Sequence, residues 1–392
     1  MLEFYNGKPL VYLDNAATTK PDKEVVKYIN NFLITNFFNP SSAYDGGEYV
    51  RNEIENARCT IANFINSKPS EIYFTSGGTE SDNWALKGIL EKGDHVITSC
   101  IEHKAILNTC KALENQGVEV TYLDVDNEYG EINLLDLEKA IKPNTKLISI
   151  MFVNNEIGSV NNLDKISAIA KKHNILFHTD AVQGFGKYPI DVNKIGIDMM
   201  SASSHKINGI KGCGFLYIRD GIKIKNLIDG GEQESYLRGG TENVIGIIGL
   251  GKAVELLGNT KDIIDRYIYV GELSSLFIDS IKDILLDTGK LFKSRSPYIV
   301  NIVLHGYKGE SIARLFDANG VCISTGSACN THSGNPSHVL KSVGYSDDDA
   351  NSSIRFSFSH DNTKEEIEYV AKIFKQIISQ LKITKNERKE ND

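Results

Sequence analysis

Apolar residues fall into short runs that end in polar side chains, and these runs alternate with longer stretches of helical spacing. The pattern is sharpest between Ile175 and Lys206. There Ile175, Leu176 and Phe177 lead into His178, Asp180 and Gln183, and Ile197, Met199, Met200 and Ala202 lead into Ser203, Ser204, His205 and Lys206. Upstream, strands are expected at 71–75, 95–99, 118–125 and 146–153, with helices through Trp84, Leu86 and Ile89, after His103, and at 134–141 and 164–173. An earlier helix over 48–64 sets Val50, Ile54, Ala57, Ile61 and Phe64 on one face. Strands that read as continuous apolar runs are buried on both faces, and their alternation with helices predicts an α/β fold with a mainly parallel sheet between helices. Ligands of such sheets sit beyond the carboxyl ends of the strands, where the polar residues of this chain collect.

After Lys206 the chain becomes rich in glycine. Gly209, Gly212 and Gly214 precede a strand at 215–219, and Gly230-Gly231 and Arg238-Gly239-Gly240-Thr241-Glu242-Asn243 precede a helix over 245–257. The polar stretch 259–262 marks a boundary between a large domain, 13–258, and a smaller α+β domain built from 1–12 and 259–392, with a helix after it that both domains can share. In the second part strands are expected at 299–304, 321–323 and 352–358 and a helix at 310–316, with a long polar loop over 324–337 and a solvated tail over 382–392.

Charge and cysteine usage narrow the function classes. Lys and Arg number 43 against 51 Asp and Glu, a formal net charge of −8, which disfavours nonspecific binding to nucleic acid or an anionic membrane. The apolar run 244–258 is broken by Lys252 and Glu255 and is too short for a bilayer span. The first residues carry neither a basic nor an apolar leader segment. Cys59, Cys100, Cys110, Cys213, Cys322 and Cys329 form no C-x-x-C pair, so neither a disulfide framework nor a metal site is expected. The reading is a cytoplasmic enzyme with reduced thiols.

Several residues carry candidate chemistry, each beside a plainer alternative. An aspartate and a lysine delivered to one cleft suit pyridoxal phosphate, the lysine holding it as a Schiff base and the carboxylate keeping its ring nitrogen protonated. Alternatively Asp180 is a turn residue and Lys206 a surface charge or a simple anion binder. Ser76-Gly77-Gly78-Thr79, between a strand and a helix, is a phosphate cradle or, with Asp82, an ordinary capping box. His103 stacks on an aromatic ring or is structural, and Asn154-Asn155-Glu156 brings two amides and an acid to another strand end. Cys329, alone among small polar neighbours, is a nucleophile or a surface thiol, and Arg355 binds a carboxylate or forms a surface salt bridge.

Taken together the motifs resemble the cysteine desulfurases, the NifS/IscS-like group of the class V aminotransferase family. The resemblance runs through Tyr12-Leu13-Asp14-Asn15-Ala16-Ala17-Thr18-Thr19, Thr75-Ser76-Gly77-Gly78-Thr79-Glu80-Ser81-Asp82-Asn83, Glu102-His103-Lys104-Ala105 and Val153-Asn154-Asn155-Glu156-Ile157-Gly158. It continues through Asp180-Ala181-Val182-Gln183, Ser203-Ser204-His205-Lys206, Arg238-Gly239-Gly240-Thr241, Ser324-Thr325-Gly326-Ser327-Ala328-Cys329 and Ser353-Ile354-Arg355-Phe356-Ser357. Tyr44, Ser204 and Ser359-His360 depart from the family's usual residues. The resemblance implies the fold type I of pyridoxal 5'-phosphate (PLP) transferases and conversion of L-cysteine to L-alanine, with sulfur held on Cys329 as a persulfide. It implies that Lys206 carries PLP, Asp180 meets the pyridine nitrogen, Gln183 the phenolic oxygen, and His103 stacks on the ring and moves protons. Gly78, Thr79, Ser203 and His205 would hold the phosphate, with Thr241 reaching it from the second subunit of a homodimer. Asn155, which also touches the cofactor, and Arg355 would hold the substrate carboxylate, with Asn15 nearby. A sulfur-acceptor protein, for iron–sulfur cluster assembly or another sulfur product, is the expected partner.

Overall fold

The computed structural model describes residues 3–5, 7–326 and 336–391; Cys329 lies outside them. At its centre is a seven-stranded sheet in the order Ile72–Thr75, Gly214–Ile218, Met199–Ser203, Leu176–Asp180, Thr145–Ser149, His95–Ser99 and Glu119–Leu123. Gly214–Ile218 is antiparallel to both of its neighbours, and the other four contacts are parallel. The reversal follows from chain length. A parallel return needs a crossover of roughly a dozen residues or more, usually a helix, and the link from Ser203 to Gly214 holds only a single 3-10 turn, Ser204–Lys206. Ile72–Thr75 therefore runs with the other five strands, as the apolar pattern predicts, but touches them only through the reversed one. The strand expected to reach residue 153 ends at Ser149, and the chain then turns so that Asn154 and Asn155 face the strand ends.

Helices Asp45–Phe64, Gly78–Lys87, Lys104–Glu114, Leu163–Lys172 and Val244–Leu257 cover this sheet. The last is apolar apart from Lys252 and Glu255 and has nine of its fourteen residues buried, which accounts for a run that resembles a membrane segment in composition alone. Among the described residues no helix is long and apolar enough to cross a membrane.

A second core lies beside the first. The antiparallel strands Gly289–Leu291, Ile299–Leu304, Ser353–Ser357 and Ser324–Thr325 form one small sheet, and Glu3–Tyr5, Lys8–Tyr12 and Val321–Cys322 another. Helices Thr260–Thr288, Gly309–Ala318 and Lys364–Asn391 pack on them, and the tail from residue 382 continues that last helix to Asn391. Phe277, Phe316, Phe356 and Phe374 meet at its centre in tilted and edge-on ring contacts. The two cores exchange residues: Val11, Leu13 and Ala16 pack in the second, while Phe292, Val339, Leu340 and Val343 pack in the first.

Candidate active site

Buried strand ends deliver the polar groups. Asp180 ends the strand Leu176–Asp180, and its Oδ1 accepts the Val182 N–H at 2.9 Å. Met199–Ser203 ends at Ser203, and the 3-10 turn that follows presents His205 and Lys206. Lys206 Nζ donates to the carbonyls of Ala16 and Ala17, both at 2.7 Å, and Gln183 Nε2 donates to Ala16 O at 2.8 Å. His205 Nδ1 lies 3.1 Å from Thr18 Oγ1. The small residues Ala16 and Ala17 thus let backbone carbonyls approach a lysine that large side chains would screen.

On the opposite side, the helix Gly78–Lys87 starts at Gly77, whose φ of 149° only glycine adopts freely, and no side chain caps it. A Cβ at Gly78 would lie 2.6 Å from Val182 Cγ2, and one at Gly77 would stand 3.6 Å from the Ser203 hydroxyl. Asp82 is turned into the protein, 1% exposed, so the capping-box alternative does not describe this turn. The result is an uncapped helix N-terminus, with its positive end, beside the hydroxyl of Ser203.

Beneath these groups lies a buried polar layer. His178 is held between Ser149 Oγ at 2.9 Å and Ser201 Oγ at 3.0 Å, and burial pulls it down to about 3, so it is neutral. Asp82 Oδ1 is 3.8 Å from His178 Nε2 and has no hydrogen-bond partner. Burial pushes the Asp82 carboxyl up, and the nearby Asp180 charge adds to the effect; burial pushes Asp180 up as well. Glu102 is pushed up to about 8 by burial, while Ser99 Oγ at 2.7 Å and the Met151 N–H hold its carboxylate.

The wall next to the second core carries Arg355. Its side chain is fully buried; Nη2 meets Asp14 Oδ1 at 2.7 Å, Nη1 donates to Asn155 O at 2.8 Å, and the buried Nε has no partner. Glu156, pushed up to about 7 by burial, accepts the Ser337 hydroxyl at 2.5 Å. His103 caps the helix Lys104–Glu114 through Nδ1, which accepts the Ala105 N–H at 3.1 Å, and so sets its ring at the cavity wall.

These groups enclose a cavity of about 300 Å³. Gly78, Thr79, His103, Asn155, Asp180, Gln183, Ser203, His205, Lys206 and Arg355 all line it. Two expected site residues stand elsewhere. Asn15 Nδ2 is held by the carbonyls of Ser357 and Tyr12 and borders a narrow cleft with Lys206, and Thr241 lines a separate cleft of about 150 Å³ with Ser76 and Arg238. The structure adds residues that motif spacing left aside: Asp14, Asp82 and His338. Asp14 had a signal, as Asn15's neighbour in a quoted motif. Asp82 stood in a quoted motif too, read there as a capping residue, and His338 had no signal, since its inward orientation depends on packing.

The match to a family model, Aminotransferase class-V, covers residues 11–370. The chain is 46% identical over 381 residues to the cysteine desulfurase IscS of Methanosarcina thermophila, covering 95% of this chain and 93% of that one. Among solved structures, a NifS-like protein superposes with a TM-score of 0.87 at 35% identity, covering 94% of this chain and 99% of its own. A structure described as SspA in complex with cysteine does so with a TM-score of 0.78 at 38% identity, covering 90% and 99%.

Proposed function

The chain belongs to the class V aminotransferase family, and from that premise we propose that its cavity holds PLP and works on L-cysteine as a cysteine desulfurase. The observation that carries the reading is the opposition, across one cavity, of Lys206 to a buried carboxylate, Asp180, and an uncapped helix N-terminus. The residues fit the cofactor: the N-terminus and the Ser203 and His205 side chains suit a phosphate, and Asp180, raised by burial, suits a cationic ring nitrogen that would restore its charge. Bound PLP supplies the electron sink for bond changes at the substrate.

The chain's own groups do the rest. Arg355, with an unpartnered Nε, and Asn155 bind and orient the substrate carboxylate. Lys206 would hold the cofactor and move a proton at the substrate α-carbon, and His103, on the cavity wall, would stack on the cofactor and help move protons. The Cys329 thiolate attacks the substrate sulfur. A sulfur–sulfur bond forms, the bond from sulfur to Cβ breaks, Cβ gains a proton, and the products are alanine and a persulfide on Cys329. A sulfur-acceptor protein, for iron–sulfur assembly or another sulfur product, then takes the outer sulfur. A cytoplasmic setting that keeps thiols reduced fits this chemistry.

The finer organisation belongs to the same reading. Residues 13–258 hold the cofactor, and 1–12 with 259–392 carry Arg355 and Cys329. The chain is a homodimer in which Thr241 reaches the partner's phosphate site. Support comes from Thr241 facing a cleft of its own and from the exposed apolar strip Leu33, Ile34, Phe37, Tyr44 and Tyr49.

The test measures alanine and sulfide released from L-cysteine, with a thiol reductant, by the wild type and by Cys329→Ala. Release by the wild type alone is expected, together with a persulfide on the Cys329 peptide by mass spectrometry. Equal release by both would overturn the nucleophile, and release by neither from a PLP-bearing protein would overturn the reaction.

A further inference from the structure

Lys187 is a buried charge that the reaction as derived leaves unused. It is 8% exposed. Its ammonium donates to Gln183 Oε1 at 3.0 Å and lies 5.4 Å from the ring centre of Tyr298. Burial, with the cations Lys206 and Arg355 nearby, draws it down to about 7. An ammonium placed among cations costs stability, so its position calls for a reason other than stability.

Local geometry builds this position on purpose. Residues 181–187 fold as consecutive turns, with Gly184 N and Phe185 N on Ala181 O, and Lys187 N and Tyr188 N on Gly184 O. A Cβ at Gly184 would strike Phe152 at 2.2 Å, and Gly186 has a φ of +74° and packs against Ile207 and Leu257. With both glycines in place the coil tightens, and Lys187 returns beneath Gln183.

A side-chain amide has a donor end and an acceptor end, a backbone carbonyl only accepts, and a lysine ammonium only donates. The Lys187 bond therefore assigns Oε1 to the lysine side and leaves Nε2 pointing to Ala16 O at 2.8 Å, the carbonyl that also receives Lys206 at 2.7 Å. We propose that Lys187 is a positioning residue: it locks the Gln183 amide so that its N–H groups, and not its carbonyl, face the cavity, where they meet an anionic oxygen of the bound cofactor. The proposal rests on the reading that this cavity holds PLP. It gives the buried lysine a role through Gln183, with no contact of its own to cofactor or substrate.

The test titrates cofactor-free wild type, Lys187→Met, Gln183→Ala and the double variant with PLP, reading affinity by protein fluorescence, and measures thermal unfolding of each cofactor-free chain. One lost hydrogen bond corresponds to a loss of up to about tenfold in affinity. Lys187→Met is expected to bind about tenfold more weakly, and the double variant no more weakly than Gln183→Ala. Lys187→Met is also expected to unfold at the same temperature as the wild type or higher, a result that a structural role would reverse. Lys187→Gln, which keeps an N–H donor without the charge, is expected to bind more tightly than Lys187→Met, and stands in for it should that chain not fold. Wild-type affinity in Lys187→Met, losses that multiply in the double variant, a lowered unfolding temperature, or no recovery in Lys187→Gln would each overturn the proposal. A wild type that takes up no PLP would instead overturn the cofactor reading, and the proposal with it.

Discussion

Three consecutive residues other than glycine, Glu234, Ser235 and Tyr236, have left-handed backbone, with φ of 46°, 57° and 68°. Each costs roughly 1–2 kcal/mol for an L-residue. What holds them is Glu234. Its carboxylate accepts Arg58 Nη1 at 2.8 Å, Arg58 Nη2 at 2.9 Å and the Phe74 N–H at 2.8 Å. The two side chains are 11% and 3% exposed, and Arg58 also lies over the Phe74 ring. Glu234→Gln leaves the buried guanidinium with only the half-exposed Glu55, 3.1 Å from its Nε, as counter-charge, so the cost reaches at most the roughly 3–5 kcal/mol of a buried pair broken outright. That loss matches the strain stored in the turn, so the turn should relax as well as the protein weaken. Urea unfolding should show the loss, and hydrogen exchange should rise over 228–243. Ser235→Gly should move the other way, stabilising by about 1 kcal/mol through relief of the left-handed strain. A Glu234→Gln loss below about 1 kcal/mol, or a destabilising Ser235→Gly, would refute the account of an ion pair holding a strained turn.

Burial holds His178 at about 3 against an ordinary 6.5. The unfolded chain takes up this proton and the native one refuses it, so the contribution is full above 6.5 and is lost as pH falls toward 3, at about 1.4 kcal/mol per pH unit. His178→Gln should flatten the slope of stability against pH in that window by close to one proton; an unchanged slope would contradict it. Arg355→Lys loses the fork that meets a carboxylate, and kcat/KM for L-cysteine should fall on the order of a hundredfold, mostly through KM. Lys206→Ala should take up PLP without any covalent attachment that borohydride reduction fixes to the chain, whereas the wild type should be labelled on the Lys206 peptide.

How much of this was legible in the sequence follows from what each signal measures. Apolar runs ending in polar residues report burial on both faces of a strand. They located Asp180, Ser203, His205 and Lys206 at strand ends because position along a strand is local information. The motif around Gly77-Gly78 left two readings open, since a capping box and an anion cradle share the same residue types. The inward turn of Asp82 decided between them, and that depends on what lies beneath. The reversal of Gly214–Ile218 could be read from the short link after Ser203, although composition gives no hint of direction. Lys187 was invisible as a functional residue: one lysine among glycines looks like a surface charge until distant segments close over it. The helix after the polar stretch 259–262 was expected, but not its length to Thr288, because its apolar stripe faces a core whose other parts come from both ends of the chain.

That arrangement has a consequence for how the protein is made. Strand Lys8–Tyr12 pairs in parallel with Val321–Cys322, Asn15 is held by Ser357, and Arg355 meets Asp14. A ribosome adds roughly 5–20 residues per second, so the first strand waits about 15–60 seconds for its partner to emerge. Until then the lysine and aspartate of the cavity are already assembled, but the arginine wall and the Ser357 contacts that hold Asn15 and Ala16 are missing. The nascent chain therefore completes the sheet that carries Asp180 and Ser203 well before Arg355 can close the cavity beside it.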